Sequence, residues 1–254
     1  MRTINIEVET AKIIQFIQTF MKKTGFSKVV LGLSGGLDSA IIAKLCAIAL
    51  GKENVHCVLM PYKNSHPNSI NHALILADSI GVSHQTIPIT DMVDSYFEKN
   101  DIEASLLRRG NLMARMRMSI LYDLSAKLNA LVVGTSNKSE IFAGYCTQFG
   151  DAACAFEPIG HIYKTESYLI AKYLELPDVI LNKKPSADLW EGQTDEDELG
   201  ISYPQLDKVL YYHLEENRDK AFILNQGVSE REYELVIKKV RGSEFKRRMP
   251  VFIK

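Results

Sequence analysis

The sequence predicts an α/β fold: a doubly wound parallel sheet of about five strands with helices on both faces. Three observations lead to this prediction. Short continuous apolar runs, such as residues 29–31, are typical of strands that are buried on both faces. Helical stretches of ten or more residues separate these runs, as right-handed crossovers between parallel strands require. The 254 residues, 46% of them hydrophobic and 24% charged, suffice for a full buried core.

The predicted elements alternate regularly along the chain. Residues 8–21 carry apolar side chains at helical spacing, and Gly25 follows as a stop signal. A glycine-rich segment at 32–39 leads from the first strand into the next helix, which Gly51 closes. The same reasoning predicts strands at 29–31, 55–60, 85–89 and 130–133 and helices at 8–21, 40–50, 70–80, 112–128, 203–214 and 230–240.

The chain 1–254 is predicted to form a single domain, because no internal repeat, low-complexity segment or linker marks a second one. Within it we distinguish an N-terminal helix at 1–24, an α/β core at 25–187 and a C-terminal helical segment at 188–254. Open parallel sheets bind ligands at the carboxyl ends of their strands, so we expect the site at that edge.

Composition argues against several classes of function. With 30 Lys and Arg against 31 Asp and Glu, the formal net charge is -1, which offers no field for gripping nucleic acid. The longest apolar stretch, residues 40–50, contains Lys44 and is far shorter than the roughly 20 residues that cross a bilayer. Glu7 and Glu9 stand where a secretory signal needs an apolar run, and the four cysteines form no CxxC pair. We therefore expect a cytoplasmic protein with reduced thiols and with no nucleic-acid or membrane partner.

The glycine-rich segment after the first strand predicts an anion-binding loop. Residues 34–39 read SGGLDS, and the strand–loop–helix arrangement directs backbone N–H groups and a helix dipole towards one point. A loop of the GxxxxGK[ST] type would have lysine at position 38, where this chain has Asp38. A carboxylate beside phosphates implies a divalent cation between them.

Two other interpretations fit the same segment. Residues 32–36 satisfy G-x-S-x-G, the nucleophile elbow of α/β-hydrolases, which would make Ser34 a nucleophile. Only one strand precedes the loop, and no later Asp and His stand out as partners, although His161 could serve as a base. A glycine turn without a chemical role is the remaining possibility.

Two carboxylates are expected to meet at the sheet edge. Asp38 and Glu140 each follow a predicted strand, and a parallel sheet brings such positions to the same edge. Hard oxygen ligands at that edge suit Mg²⁺ bridging phosphates. Taken alone, the two residues would serve equally well as a helix N-cap and a first-turn glutamate.

Several segments together resemble one family. Residues 34–39 match the SGGxDS signature of the PP-loop ATP pyrophosphatases, which split ATP into AMP and pyrophosphate. Within that group, further segments are similar to bacterial ammonia-dependent NAD synthetase and follow that family's order from about residue 30 to 250. They are Arg115 in GNLMARMRMS, GTSNKSE at 134–140, FGD at 149–151, Lys164, PSADL at 185–189, ELG at 198–200 and FKRR at 245–248. The resemblance implies an adenine nucleotide α hydrolase-like fold, with a nucleotide-binding core at 25–187 and substrate contacts in 188–254.

The resemblance also implies a role for each matching residue. Asp38, Lys164 and Asp151 would be the catalytic groups, and Asp38 and Glu140 would be the Mg²⁺ ligands. ATP would contact Gly32, Leu33, Ser34, Gly35, Gly36, Leu37, Asp38, Ser39, Thr135, Lys164 and Ser186. The dinucleotide substrate would contact Arg115, Tyr145, Gln148, Asp151, Phe245 and Lys246.

Read without the resemblance, these residues have ordinary structural roles. Thr135 would cap a helix, and Lys164 and Arg115 would be solvated. Residues 195–198 would be an acidic turn and 246–248 a basic tail. Two positions also depart from the family, since many relatives have His where this chain has Phe245 and Lys where it has Gln148.

The reaction that the resemblance implies is the synthesis of NAD from nicotinic acid adenine dinucleotide (deamido-NAD), ATP and ammonia through an acyl-adenylate. AMP and pyrophosphate would be released. A homodimer whose interface helps to shape the dinucleotide site is expected. Relatives that use glutamine carry a separate amidase domain, for which 254 residues leave no room, so free ammonia is the expected donor.

Three further classes stay open at this point. Another PP-loop enzyme, such as a tRNA-modifying or other amide-forming ligase, is expected to carry a basic extension or paired cysteines, and the sequence has neither. A serine hydrolase would use Ser34 and need no ATP. A non-catalytic module would bind ATP without releasing AMP.

Overall fold

A parallel sheet forms the centre of the molecule. The computed structural model describes residues 2–190, 192–248 and 252–253. Its four strands are hydrogen-bonded in the order β3-β2-β1-β4. They are β1 (Lys28–Gly32), β2 (Val55–Leu59), β3 (Ser83–Thr86) and β4 (Ala130–Val132). The predicted fold class is confirmed, with four strands among the described residues where about five were expected. Beyond β4, Val133 and Phe156 form an isolated parallel bridge.

The third strand lies earlier in the chain than the predicted 85–89. Its residues Ser83 to Thr86 pair with residues 56–59 of β2. Because β3 is at the edge of the sheet, polar side chains are tolerated in it. The apolar residues within 85–89 therefore did not mark the true bounds of the strand. The apolar Ile87 and Ile89 still donate backbone hydrogen bonds to Leu59 O and Pro61 O, but they lie beyond the regular ladder.

Helices surround the sheet and fill its crossovers. One or more helices lie between each pair of consecutive strands, as the predicted topology requires. No helix in the described part of the chain combines the length and apolar character needed to cross a membrane. The helices are α1 (Ile6–Thr24), α2 (Leu37–Leu50), α3 (Pro67–Ile80), α4 (Thr90–Asn100), α5 (Leu106–Leu128), α6 (Lys138–Ala143), α7 (Lys164–Tyr173), α8 (Asp178–Leu181), α9 (Asp195–Leu199), α10 (Tyr203–Leu210), α11 (Lys220–Asn225) and α12 (Glu230–Gly242).

The two faces of the sheet pack against different helices. Val29 and Leu31 of β1 join a core with α1, α2, α3 and α7, whereas Val30 between them joins a second core with α4 and α5. This alternation is the period of two that a strand imposes on its side chains. The sheet is therefore buried on both faces, which accounts for the continuous apolar run that predicted β1.

The C-terminal helices form a third apolar cluster. Leu206, Val209 and Leu210 of α10 pack with Val236 and Ile237 of α12. Helix α10 also packs against α6 and α7. In the predicted helix at 203–214, the α-helical part is Tyr203–Leu210. A π-helical turn over Tyr211–Glu215 follows it directly. The division at residues 24 and 187 stays a prediction, and residues 191, 249–251 and 254 of its last segment lie outside the described residues.

Candidate active site

A cleft of about 660 Å³ opens at the carboxyl ends of the strands. Gly32 at the end of β1, Met60 after β2 and Val133 after β4 line it. This is the edge where open parallel sheets bind ligands. The cleft also receives side chains from α5, α7 and α9 and from the segment 183–190, so distant parts of the sequence meet in it.

The glycine–serine loop at 32–39 forms the floor of this cleft at the start of α2. The Ser34 and Ser39 hydroxyl oxygens lie 3.0 Å apart, and Gly36 N donates to Ser34 Oγ over 3.2 Å. The N-cap residue of α2 is Gly36, which has no side chain that could accept a hydrogen bond from the first N–H groups of the helix. The start of α2 therefore lines the cleft without a capping side chain. A helix N-terminus of this kind attracts phosphate.

Gly35 shows why the loop needs glycine. Its φ is +70°, and a Cβ at this position would lie 2.1 Å from Ser69 O of α3. Lys183 links the same two residues, because its Nζ donates to Gly35 O over 3.3 Å and to Ser69 Oγ over 2.9 Å. The loop is therefore packed tightly between α3 and the segment after α8.

Lys164 joins the two predicted metal ligands. Its Nζ donates to Asp38 Oδ2 over 2.5 Å and to Glu140 Oε1 over 3.2 Å. Only 4% of Lys164 and 8% of Asp38 is exposed, so the cluster is shielded from bulk water. Burial lowers the pKa of Lys164, but the two carboxylates outweigh it and hold that pKa above its ordinary value. Lys164 is therefore a fixed cation, not the surface lysine that its sequence context indicates.

The donor set at this point fits Mg²⁺. Asp38 Oδ1 is buried and has no hydrogen-bond partner among the described residues, so one carboxylate oxygen is unused. The described residues contain no group of three or more His, Cys, Asp or Glu side chains placed to hold a metal. Mg²⁺ usually takes one or two carboxylates together with substrate phosphates, so Asp38 and Glu140 suffice for it beside a phosphate loop.

An acidic and tyrosine-lined wall stands next to this cluster. Asp195 is 4% exposed and accepts hydrogen bonds from Tyr203 Oη over 2.9 Å and from Tyr145 Oη over 3.1 Å. Tyr145 Oη also donates to Glu198 Oε2 over 2.5 Å. Burial raises the pKa of Asp195, and the nearby Lys164 opposes that rise. Tyr145, a predicted substrate contact, is thus fixed by its hydroxyl group at the cleft wall.

Asp195 and Glu198 are cleft residues to which the sequence analysis assigned no contact, although Glu198 lies in the matching segment ELG at 198–200. They were interpreted as part of an acidic turn, whereas residues 195–199 form helix α9, with Thr194 accepting from Asp197 N as its N-cap. A threonine followed by acidic residues is a start signal for a helix and could have predicted α9. Arg117 was missed too, although it lines the cleft and donates from Nε to Met60 O over 3.0 Å.

The structure brings most of the predicted site residues into one cleft. The predicted residues that line it are Gly32, Leu33, Ser34, Gly36, Leu37, Asp38, Ser39, Thr135, Glu140, Tyr145, Asp151, Lys164, Ser186 and Lys246. Gly35 is a buried residue of the loop and does not line the cleft. Ser186 Oγ accepts from Asp188 N over 3.1 Å, and Asp151 Oδ1 accepts from Thr147 N over 2.8 Å.

Three predicted substrate contacts do not line the cleft. Arg115 is exposed on α5 and donates from Nη2 to Gln148 O over 3.3 Å, and Gln148 itself lies outside the cleft lining. Phe245 is 58% exposed. Lys246 reaches the cleft, where its Nζ donates to Gly144 O over 2.8 Å and to Cys146 O over 2.7 Å. The far end of the site is therefore open in the single chain.

The serine hydrolase interpretation lacks its base. Ser34 Oγ contacts Ser39 Oγ and Gly36 N, and within the described residues no histidine lines the cleft. His161, the candidate base, contacts Glu9 through Nε2 over 3.0 Å and is not among the cleft residues. A nucleophilic serine needs a base within hydrogen-bond reach.

The comparisons of this chain with a family model, with curated sequences and with solved structures point to the same family. The sequence model described as NAD synthase matches residues 9–250. The NH(3)-dependent NAD(+) synthetase of Fusobacterium nucleatum is 52% identical over 251 residues, which are 99% of this chain and 97% of that protein. The NH3-dependent NAD synthetase of Campylobacter jejuni, solved with a nitrate ion, superposes with a TM-score of 0.84 at 37% identity and covers 99% of this chain and 100% of that one. The NMN synthetase of Francisella tularensis superposes with a TM-score of 0.89 at 30% identity and covers 99% of both chains.

Proposed function

This chain belongs to the NAD synthase family, and from that membership we propose that it makes NAD from deamido-NAD, ATP and ammonia. AMP and pyrophosphate leave as the other products. One observation carries the assignment of the chemistry to the cleft: the loop 34–39, Lys164 and the carboxylates of Asp38 and Glu140 converge at one helix N-terminus. That arrangement suits an ATP triphosphate whose α- and β-phosphates separate.

The reaction needs two steps, because hydroxide is a poor leaving group and a free carboxylate does not accept an amine in water. First, a carboxylate oxygen of deamido-NAD attacks the α-phosphorus of ATP, and the bond from that phosphorus to the pyrophosphate oxygen breaks. Second, the nitrogen lone pair of ammonia attacks the acyl carbon, the bond to AMP breaks, and the nitrogen loses a proton. The protein supplies positioning and charge stabilisation to both steps.

The residues of the cleft divide this work. The N–H groups of the loop 34–39 and the start of α2 bind the pyrophosphate portion. Lys164, desolvated and permanently charged, stabilises the negative charge that grows on the leaving pyrophosphate. Thr135 and Ser186, which both line the cleft, contact ATP in this proposal. Mg²⁺, held by Asp38 and Glu140, would neutralise phosphate charge and polarise the phosphoryl oxygens.

The far end of the site is proposed to hold the dinucleotide. Tyr145, Asp151 and Lys246 line the cleft there, and Arg115 with Gln148 lies outside it on an exposed surface. We propose that a second copy of the chain covers this surface in a homodimer. Exposed apolar residues at the start of α5, Leu106 at 57% and Leu107 at 67%, support an interface on that helix. The cytoplasm stays the predicted location.

The deciding experiment incubates the protein with Mg-ATP, deamido-NAD and ammonium, and measures AMP, pyrophosphate and NAD together. Equal amounts of the three products are expected. Replacing ammonium with glutamine is expected to abolish NAD formation, since free ammonia is the proposed donor. A well-folded sample that forms none of the three products would disprove the proposal.

A parallel reaction addresses the substrate. The superposition on an NMN synthetase makes nicotinic acid mononucleotide the second candidate, because the same two steps on that carboxylate would give NMN. The 52% identity to an NAD synthetase over nearly the whole chain favours the dinucleotide. We expect a higher kcat/KM for deamido-NAD, and the opposite ranking would assign this chain to NMN synthesis.

A further inference from the structure

Asp207 is a fully buried carboxylate outside the cleft. It lies on α10, is 0% exposed, and uses both of its oxygens on helices other than its own. Oδ1 accepts from the hydroxyl group of Ser139 on α6, and Oδ2 accepts from Thr165 N on α7 over 2.9 Å. Ser139 is also 0% exposed. Burying a carboxylate costs free energy even when both of its oxygens accept hydrogen bonds, so the presence of Asp207 at this position needs an explanation.

The hydrogen bonds around Asp207 fix the start of α7. The first backbone N–H groups of a helix have no partner within it and must be bonded elsewhere. Lys164 N donates to Ser139 Oγ over 2.9 Å, Thr165 N donates to Asp207, and Tyr163 N donates to Glu166 Oε2 over 2.9 Å. Asp207 thus sets the backbone of Thr165 directly and that of Lys164 through Ser139.

The same bonds fix the start of α6. Ser139 immediately precedes Glu140, and its hydroxyl group is tied at once to Asp207 and to Lys164 N. Helix α10 packs against both α6 and α7, so a carboxylate on its inner face can reach both helix starts. An apolar side chain at position 207 could fill the space but could accept neither hydrogen bond.

We propose that Asp207 is a positioning residue, which through Ser139 and Thr165 holds Lys164 and Glu140 in register with the phosphate loop. The proposal rests on the proposed function, because it assumes that Lys164 acts on the leaving pyrophosphate. Burial raises the pKa of Asp207 to about 6, which means that the fold keeps this carboxylate at a cost in stability. Such a cost is typical of groups that are retained for a function.

The test is Asp207→Asn, which keeps the side chain's size but replaces one acceptor by a donor, so that it cannot accept from both Thr165 N and the Ser139 hydroxyl group. We expect kcat to fall about 10- to 100-fold, as for other groups that orient a reacting group from behind it. The KM for deamido-NAD should stay within twofold, because the far end of the cleft is untouched. Amide hydrogen exchange at Lys164 and Thr165 should become faster in the free protein.

Asp219→Asn is the matched control. Asp219 belongs to the same C-terminal helical segment and caps α11 by accepting from Phe222 N over 2.8 Å, but it does not line the cleft. We expect its kcat and the exchange at Lys164 and Thr165 to match the unsubstituted protein within twofold. An equal loss of kcat in both variants would mean that any weakened cap lowers activity, and the proposal would be wrong.

A second variant protects the test against misfolding of the first. Ser139→Ala leaves Asp207 in place and removes only the hydroxyl group between it and Lys164, so kcat should fall in the same direction. The double variant should lose little more than Asp207→Asn alone, since both act through one chain of bonds. Normal kcat in folded Asp207→Asn, or in Ser139→Ala if the former does not fold, would overturn the proposal. If the unsubstituted protein makes no NAD, the proposed function fails, and the exchange rates still test the bracing of α7.

Discussion

The two ends of the cleft differ in how completely one chain builds them. At the phosphate end, Lys164 and Asp38 are almost fully buried, and the loop 34–39 is locked against α3 by the contact between Gly35 and Ser69. At the proposed dinucleotide end, Arg115 is exposed and Phe245 is 58% exposed. Contacts within the chain hold the first end in place, whereas Arg115 and Phe245 at the second end face solvent.

From this contrast we expect catalysis to depend on the phosphate end and substrate specificity to depend on the far end. Charge stabilisation is strongest in a dry, preorganised site, because the local dielectric is low and no reorganisation is needed at the moment of reaction. Binding of a large substrate tolerates an open rim, which a ligand or a second copy can cover. We therefore expect substitutions at the phosphate end to change kcat and substitutions at the far end to change KM.

The largest expected effect is that of Lys164→Gln. Its cation would be lost from the point where pyrophosphate charge develops, and Asp38 and Glu140 would lose the ammonium group that both of them contact. We expect kcat for AMP release to fall about 10³-fold, the loss typical of a removed charge-stabilising group. Rapid quench measurement of AMP, normalised to folded protein by circular dichroism, gives the value.

Lys220→Gln is the control for this prediction. Lys220 also bonds two carboxylates, Glu230 over 2.8 Å and Glu234 over 2.6 Å, but it lies on the surface. An exposed pair of this kind contributes little, so its kcat should stay within twofold of the unsubstituted protein. Similar losses in both lysine variants would show that burial does not distinguish the two clusters.

The sequence predicted the parts of the site that depend on local pattern and on the direction of the strands. Strand β1, the loop 32–39 and the start of α2 follow from an apolar run and from glycines between two elements. That Asp38 and Glu140 lie at one edge follows from parallel strands alone. The fold class was predicted correctly for the same reason, since alternating strands and helices leave one topology with helices on both faces.

The remaining parts depend on packing that no local pattern contains. Lys164 was assigned by resemblance only, because its burial results from contacts with residues 24 and 126 positions away. Asp195 reaches the cleft because α9 folds back beside Tyr145, 50 positions earlier. Arg115 and Arg117 have the same type and almost the same position, yet the turn of α5 directs only Arg117 into the cleft.

A smaller effect is expected at the far end, from Arg115→Ala. Loss of a charge-assisted contact should raise the KM for deamido-NAD about tenfold, and the KM for ATP should not change. Lys127→Ala, at the exposed C-terminal end of the same helix, should alter neither value. Initial rates at varied concentrations of each substrate provide the measurement, and equal rises in both KM values would contradict a far-end role.

The homodimer proposal can be tested with the same protein. If a second copy covers the surface around Arg115, the KM for deamido-NAD should rise when the enzyme is diluted below the dissociation constant of the dimer. Light scattering would give the mass at each concentration. A monomer with full activity at every concentration would assign the whole dinucleotide site to one chain.

The smallest expected effect is on the free energy of unfolding, and it comes from Asp207, the proposed positioning residue of the phosphate end. Burial raises the pKa of Asp207 from the ordinary value of 3.8 to about 6, so between these values the folded protein binds the proton more tightly than the unfolded chain. The contribution of Asp207 to stability is then present below about pH 4 and is lost as the pH rises to 6. From the two pKa values the loss is about 2 to 3 kcal/mol.

Asp207→Asn cannot ionise, so it should gain about 2 to 3 kcal/mol in stability relative to the unsubstituted protein between pH 4 and 7. Urea unfolding at several pH values measures this difference, in which the titration of all other groups cancels. A difference that does not vary with pH would mean that Asp207 titrates normally. The same variant is also expected to lose activity. A gain in stability relative to the unsubstituted protein between pH 4 and pH 7, together with that loss of activity, would mean that Asp207 holds the phosphate end in place at the expense of stability, which is a trade-off between stability and activity.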